Sequence, residues 1–125
     1  MALTRGHLAI GMVTTDCANP SGLAAFWAAA LGTTVSGDYG EFVMLAPPPA
    51  GGPVLGFQLV PEERAGKNRL HLDLGAASGE RHAEVERLVG LGATVVGERG
   101  GEAEGLVWTT LTDPEGNEFC VLSAR

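Results

Sequence analysis

The sequence predicts an α+β fold built from two tandem βαβββ modules, and three observations support this prediction. Residues 31–35 (LGTTV) are matched by residues 91–95 (LGATV) at an offset of 60 (91 − 31). Each segment ends a stretch of helical apolar spacing and begins a stretch of β-strand alternation. Both halves then close with two short strands joined by turn residues. Duplication explains this shared order better than a chance match does. The alternative fold is a ferredoxin-like α+β sandwich.

The length and composition set the class of protein. A chain of 125 residues is one domain's worth, so we expect one domain over residues 1–125, with modules at about 5–62 and 67–124. Hydrophobic residues make up 45% and charged residues 18%, which is typical of a globular protein. The net charge of -7 and the absence of a basic stripe argue against a nucleic-acid partner.

The sequence also argues against a membrane partner or a secreted protein. No stretch approaches the roughly 18–20 apolar residues that a membrane helix needs. Arg5 and His7 interrupt any signal-peptide core. Cys17 and Cys120 lie far apart and form no disulfide framework. We therefore expect a cytoplasmic protein.

The first module begins with an expected strand over residues 7–15. Leu8, Ile10 and Met12 alternate there with small or polar residues, as in a half-buried strand. Strands are also predicted at residues 33–35, 41–45 and 54–60. The proline-rich stretch 47–53 lacks ladder donors and predicts a loop between the last two.

A helix is predicted between the first two of these strands. Asn19 is a favourable N-cap, and Pro20 is tolerated in the first turn, where its missing N–H costs nothing. Phe26 and Trp27 belong to an apolar stripe that follows at helical spacing, which predicts that both are core residues. Gly32 is expected to end the helix in the left-handed conformation.

The second module repeats this order. Leu70, Leu72 and Leu74 alternate in an expected strand and are predicted to face the helix. A helix is predicted over residues 80–89, with Leu88 and Val89 inward. It is followed by a strand at 94–96 and an acidic, glycine-rich loop at 97–105. Strands 106–111 and 118–122 are joined by the turn TDPEGN at residues 112–117.

Three phrases resemble the vicinal oxygen chelate superfamily, which includes glyoxalases, bleomycin-resistance proteins and extradiol dioxygenases. They are FWAAALG at residues 26–32, NRLHLDL at 68–74 and TDPEGNEFCVL at 112–122. The chain is similar to short bacterial glyoxalase-like proteins of that superfamily. The resemblance implies a mixed eight-stranded sheet curled around a concave pocket, with both helices outside. It also implies a homodimer.

The resemblance further implies where metal-using relatives place their ligands. The corresponding positions are Ala9, Gln58, His71 and Cys120, and both pairs are offset by 62 residues (71 − 9 and 120 − 58). Ala9 has no donor atom, and at Cys120 a soft thiol replaces the usual carboxylate. We therefore expect no metal cofactor, with a divalent metal such as zinc as a weak alternative.

Period-two alternation predicts which side chains share the concave face. One reading of His71 is a structural histidine held by Asp73 or by a backbone carbonyl, and the other is a general base whose imidazolium Asp73 orients and supports. Cys120 fits a small buried hydrophobe better than a nucleophile because no cation lies nearby. The predicted pocket residues are His7, Gln58, His71, Asp73, Trp108, Glu118 and Cys120.

These residues indicate a small-molecule pocket protein. Its chemistry would be a metal-independent lyase or isomerase reaction by proton transfer, with His71 as base, Asp73 as its support and Gln58 as hydrogen-bond donor. Lactoylglutathione lyase activity is not expected, because that reaction uses a metal to stabilise an enediolate. Two alternatives stay open. One is a non-catalytic sequestering protein of the bleomycin-resistance type, and the other is a partner-binding regulatory module.

Overall fold

The computed structural model of the chain describes residues 4–101 and 106–124. It confirms the α+β class and the repeated βαβββ order. The elements are β1 (Met12–Cys17), α1 (Pro20–Leu31), β2 (Val35–Asp38), β3 (Phe42–Leu45), β4 (Val54–Leu59), β5 (Leu72–Gly75), α2 (Arg81–Leu91), β6 (Thr94–Gly101), β7 (Leu106–Thr112) and β8 (Glu118–Ala124).

The chain divides into two compact units, Met1–Glu63 and Arg64–Arg125. The eight strands fall in two mixed four-stranded sheets, one in each unit. The strand orders are β1-β4-β3-β2 and β5-β8-β7-β6. In each module the first and last strands pair in parallel, and the other pairs are antiparallel. A parallel pair needs a long crossover connection, and each crossover here includes the module's helix.

Helix α1 begins and ends at the predicted residues. The Asn19 side-chain oxygen accepts a hydrogen bond from the backbone N–H of Gly22 at 3.2 Å. Gly32 adopts φ 69°, the left-handed cap that favours glycine. Phe26 and Trp27 are buried and meet edge to face, with ring centroids 5.3 Å apart. The helix packs against β3 and β4, so the core of this module lies between α1 and the sheet.

The strand predicted over residues 7–15 begins later than expected. Leu8 is 97% and Ile10 80% exposed, and β1 starts only at Met12. The physical reason is the partner strand, because β4 begins at Val54, which lies opposite Met12. The more buried face of β1 is also not the face of Met12. It is formed by Val13, Thr15 and Cys17.

The second module corrects three further expectations. Leu70 precedes β5 and is 87% exposed, whereas Leu72 and Leu74 are half-buried. Leu88 is buried in the core, but Val89 is 45% exposed. Residues 97–101 extend β6 instead of forming a loop, because they pair with residues 106–110 of β7. The rest of the predicted loop, residues 102–105, lies outside the described residues.

Arg81, in the first turn of α2, is buried between the helix and the sheet. Its Nη1 donates to Thr109 Oγ1 at 2.5 Å, and its Nη2 lies 2.6 Å from Glu98 Oε1. The guanidinium therefore ties α2 to β6 and β7. This hydrogen bond and the arginine charge lower the pKa of the Glu98 carboxyl below its ordinary value of 4.5.

Replacing Arg81 by methionine should destabilise the second module. Thr109 would lose its buried donor, at a cost of about 2 kcal/mol in the free energy of unfolding. Arg87→Met removes the same charge from the exposed side of α2 and should cost less than about 0.5 kcal/mol. Urea unfolding followed by circular dichroism measures both, and equal losses would contradict a bridging role for Arg81.

The same contact predicts a pH dependence. The pKa of Glu98 is lowered in the folded state, so its contribution is present above pH 4.5 and is lost as the pH falls through the folded-state value. The stability difference between wild type and Glu98→Gln should therefore shrink in acid. A difference that stays constant down to about pH 2 would rule this out.

Candidate functional site

The second-module sheet has two distinct faces. Thr109 and Glu98 contact Arg81, so their face packs on α2. Side chains alternate along a strand, and the next residues therefore belong to the other face. Asp73, Cys120 and Thr110 lie opposite one another across β5, β8 and β7 on that other face. We call it the site face.

Three chemically active side chains meet on the site face. His71 Nε2 lies 3.7 Å from Asp73 Oδ1, and both side chains are about half exposed. The nearest ligand atoms of His71, Asp73 and Cys120 all lie within 4.8 Å of one another. An imidazole, a carboxylate and a thiol are therefore available at the start of β5 for proton transfer or for binding a cation.

Cys120 is 5% exposed and has a hydroxyl neighbour. Thr110 Oγ1 lies 3.4 Å from Cys120 Sγ. Burial raises the pKa of the Cys120 thiol above its ordinary value of 9.0. The hydrogen bond with Thr110 lowers that pKa, and the carboxylates of Asp73 and Glu118 raise it further. The thiol is accordingly protonated at neutral pH, as expected for a small buried hydrophobe.

The turn between β7 and β8 holds the start of β5 in place. Asp113 accepts hydrogen bonds from the backbone N–H groups of Glu115 and Asn117 at 2.9 and 3.0 Å. Asn68 donates from Nδ2 to Asn117 Oδ1 at 3.1 Å and accepts from the backbone N–H of Glu118 at 3.2 Å. His71 follows Asn68 by three residues, so these bonds position the chain that carries the imidazole.

Glu118 and Trp108 belong to the same face by strand parity. Trp108 is half-buried and lies opposite Leu122 of β8 and Arg99 of β6. Glu118 Oε1 lies 4.0 Å from Lys67 Nζ. The second module thus brings five of the predicted pocket residues to one face of one sheet. They are His71, Asp73, Trp108, Glu118 and Cys120.

The other predicted residues belong to the first module. His7 precedes β1, is exposed, and its Nδ1 lies 2.7 Å from Thr4 Oγ1. Gln58 Nε2 donates to the backbone carbonyls of Glu41 and Leu59 at 3.1 and 3.2 Å. The donor expected to serve a ligand is therefore engaged within its own module. Ligand binding by His7 and Gln58 stays a prediction.

The ligand position assigned to Ala9 is corrected by the structure. Ala9 lies outside β1, and the β1 residue opposite Gln58 is Asp16. In the second module the β5 residue opposite Cys120 is Asp73. The equal offsets of 62 therefore do not mark equivalent places. The reason is the strand register: Ala9 lies seven residues before Asp16 (16 − 9), whereas His71 lies two residues before Asp73 (73 − 71).

The donor set of the second module suits zinc better than a hard cation. Thiolate and imidazole are ligands that zinc accepts, and one carboxylate completes three protein ligands with room for a fourth. His71, Asp73 and Cys120 would hold such an ion. Sequence reasoning had named all three residues but had not grouped Asp73 with the ligands. The i, i+2 spacing of His71 and Asp73 is the signal that could have done so.

The duplicated βαβββ fold is that of the glyoxalase-like class of domains. A family model described as a glyoxalase-like domain matches residues 12–122. The chain belongs to this family. Comparison with curated proteins gives no match.

Solved structures share the fold. A glyoxalase/bleomycin resistance protein/dioxygenase family enzyme from Burkholderia phytofirmans PsJN has a TM-score of 0.81 at 18% identity, over 94% of this chain and all (100%) of that chain. A glyoxalase-related enzyme from Fulvimarina pelagi has a TM-score of 0.76 at 17% identity, covering 92% and 87%. At these identities the similarity shows the fold alone.

A fosfomycin resistance protein, FosX, from Listeria monocytogenes is also similar. A mutant of it, in complex with Mn(II) and 1S,2S-dihydroxypropylphosphonic acid, has a TM-score of 0.77 at 14% identity. The match covers 98% of this chain and 93% of that chain. Within the described residues of the present chain, no helix is long and apolar enough to cross a membrane.

The surroundings of Cys120 predict how its thiol reacts. Asp73→Asn removes a carboxylate that raises the pKa of Cys120, so the thiolate fraction at a given pH should increase. Alkylation of Cys120 by iodoacetamide, followed by mass spectrometry of its peptide, should become faster. Glu118→Gln should give a smaller increase, and Glu115→Gln none. A slower reaction in Asp73→Asn would contradict this description.

Proposed function

We propose that this protein binds a small molecule on the site face and that His71 accepts a proton from it. The observation that carries the proposal is the pairing of His71 Nε2 with Asp73 Oδ1 at 3.7 Å, both half exposed. A base has to be accessible to its substrate, and a neighbouring carboxylate orients the ring and stabilises the imidazolium that forms. The reaction class is a lyase or isomerase step by proton transfer.

The other groups of the site face support binding more than chemistry. Trp108 offers an aromatic surface for a flat ligand, and Thr110 offers a hydroxyl. The Cys120 thiol is buried and protonated, so we assign it no nucleophilic role. The non-catalytic alternative, a sequestering protein, would use this same face without turnover. The regulatory alternative would need a protein partner instead.

Substitution of His71 separates these functions. We expect a thermal-shift screen of metabolites and antibiotics to identify ligands that raise the melting temperature. For an enzyme, His71→Ala should lower turnover of such a ligand by about 100-fold or more. Asp73→Asn should lower it less. His82→Ala makes the same change on α2, away from the site face, and should leave turnover unchanged.

Each result of this comparison decides between the hypotheses. Turnover that persists in His71→Ala would overturn the assignment of the base. Ligands that bind without turnover in wild type, and bind more weakly in His71→Ala, would favour the sequestering protein. A protein for which no small molecule raises the melting temperature would leave the regulatory module as the better hypothesis.

A second candidate is a zinc-dependent member of the family. The observation in its favour is that three donor types lie within 4.8 Å of one another in one module. A bound zinc ion would supply Lewis-acid activation of a substrate oxygen or water. In that case His71 would be a zinc ligand and would no longer be free as a base. The base proposal therefore applies to the zinc-free protein and the zinc proposal to the zinc-bound protein.

Zinc affinity should depend on pH with a definite sign. The pKa of Cys120 is raised and the thiol must lose its proton to bind, so the apparent affinity should increase from about pH 6 to pH 8.5. Elemental analysis after dialysis in zinc buffers measures this, on protein purified without an affinity metal. Cys120→Ala should lower the zinc content and Cys17→Ala should not. Equal loss in both variants would count against this site.

Three further expectations stay predictions. The homodimer rests on the family resemblance, and the cytoplasmic location rests on the sequence. That the two modules act as one domain is likewise a prediction.

A further inference from the structure

Arg99 of β6 folds back over the sheet at Gly97. A Cβ atom built on Gly97 would lie 3.3 Å from Arg99 Nη1, so the guanidinium lies close over Gly97 and would have to shift by a few tenths of an ångström to admit a methyl group. Gly97 lies opposite Thr110, whose hydroxyl contacts Cys120. The guanidinium therefore lies on the site face, one strand away from Thr110.

Arg99 is an exposed residue of β6. Arg81 and Arg87 each have a carboxylate partner, at 2.6 and 2.9 Å. Among the described residues no carboxylate lies within ion-pair distance of Arg99. Its Nη1 donates to the backbone carbonyl of Glu98 at 3.1 Å, which orients the group without neutralising it. The site face thus carries carboxylates toward β5 and a guanidinium toward β6.

We infer that Arg99 is the subsite for an anionic group, a carboxylate or a phosphonate, of the small molecule that the site face binds. This inference rests on the proposed function and names its substrate class. A guanidinium presents parallel N–H donors that match two oxygens of such a group. The Thr110 hydroxyl is the neighbouring polar group in the same row of the sheet.

The width of the sheet indicates the shape of the ligand. Three strand spacings separate β6 from β5, a distance of about 14 Å. The anionic group at Arg99 and the proton taken by His71 therefore belong to opposite ends of an elongated molecule. Trp108 lies opposite Arg99 on the adjacent strand and can cover an apolar or flat portion near the anion.

The test is a titration of the isotope-labelled full chain, observed by two-dimensional NMR at constant ionic strength. The probes are benzoate, phenylphosphonate and neutral benzamide. Both anions should shift the amide signals of Gly97 and Thr110 saturably. The anion with the lower Kd identifies whether a carboxylate or a phosphonate is preferred. Arg99→Gln should raise the anions' Kd by about tenfold or more. Arg99→Lys should give an intermediate Kd, because lysine keeps the positive charge but lacks the two parallel N–H donors of the guanidinium.

Two matched variants sharpen this test. Arg87→Gln removes the same charge from α2 and should change the Kd by less than about twofold. Gly97→Ala leaves Arg99 in place but crowds its guanidinium, and should weaken anion binding and not benzamide binding. Equal weakening of anion binding by Arg87→Gln and Arg99→Gln would overturn the subsite. Binding would then depend only on the overall charge of the protein and not on the position of Arg99. Anions that leave Gly97 and Thr110 unshifted would overturn it as well.

His71→Ala distinguishes failure of this inference from failure of the proposed function. Anion binding should survive in His71→Ala, because the two groups lie at opposite edges of the sheet. If Arg99→Gln leaves anion binding intact while His71→Ala abolishes turnover, the subsite is wrong and the proposed function stands. If anion binding depends on Arg99 but turnover does not depend on His71, the proposed base is wrong and the subsite stands.

Discussion

The parallel register of β5 against β8 is the constraint on which the site depends. It sets Asp73 opposite Cys120 and leaves His71 within reach of both. A slip of one residue would turn Asp73 toward α2 and bring an apolar side chain to the site face. Asn68 and the turn at Asp113 oppose such a slip, because their hydrogen bonds join the chain before β5 to the start of β8.

The same sheet separates structure from chemistry by its two faces. On the helix side Arg81 is buried and bound by its neighbours, so its charge serves packing. On the site face Arg99 is an exposed residue, and His71 and Asp73 stay half exposed. Strand alternation accounts for this division, since consecutive residues such as Glu98 and Arg99 point to opposite faces.

Much of the fold could be predicted from the sequence. Asn19 and Gly32 delimit α1 because capping is local chemistry that a few residues specify. The repeated LGxTV segment indicated the duplication, and the turn at Asp113 followed from its proline and glycine. The site was predictable where alternation is regular, as for His71 and Asp73. The place of Arg99 on this sheet face was not predicted, because residues 97–101 contain three glycines and resemble a loop until β7 pairs with them.

The amino-acid sequence by itself determined the element order, the ends of α1 and the family, because each depends on local propensity or on a contiguous motif. Only the tertiary structure decided where β1 begins, since that depends on where its partner β4 begins. It also decided that Ala9 lies outside the strand and that Asp73 joins His71 and Cys120. These outcomes depend on pairing between residues far apart in the chain, and no local pattern encodes that register.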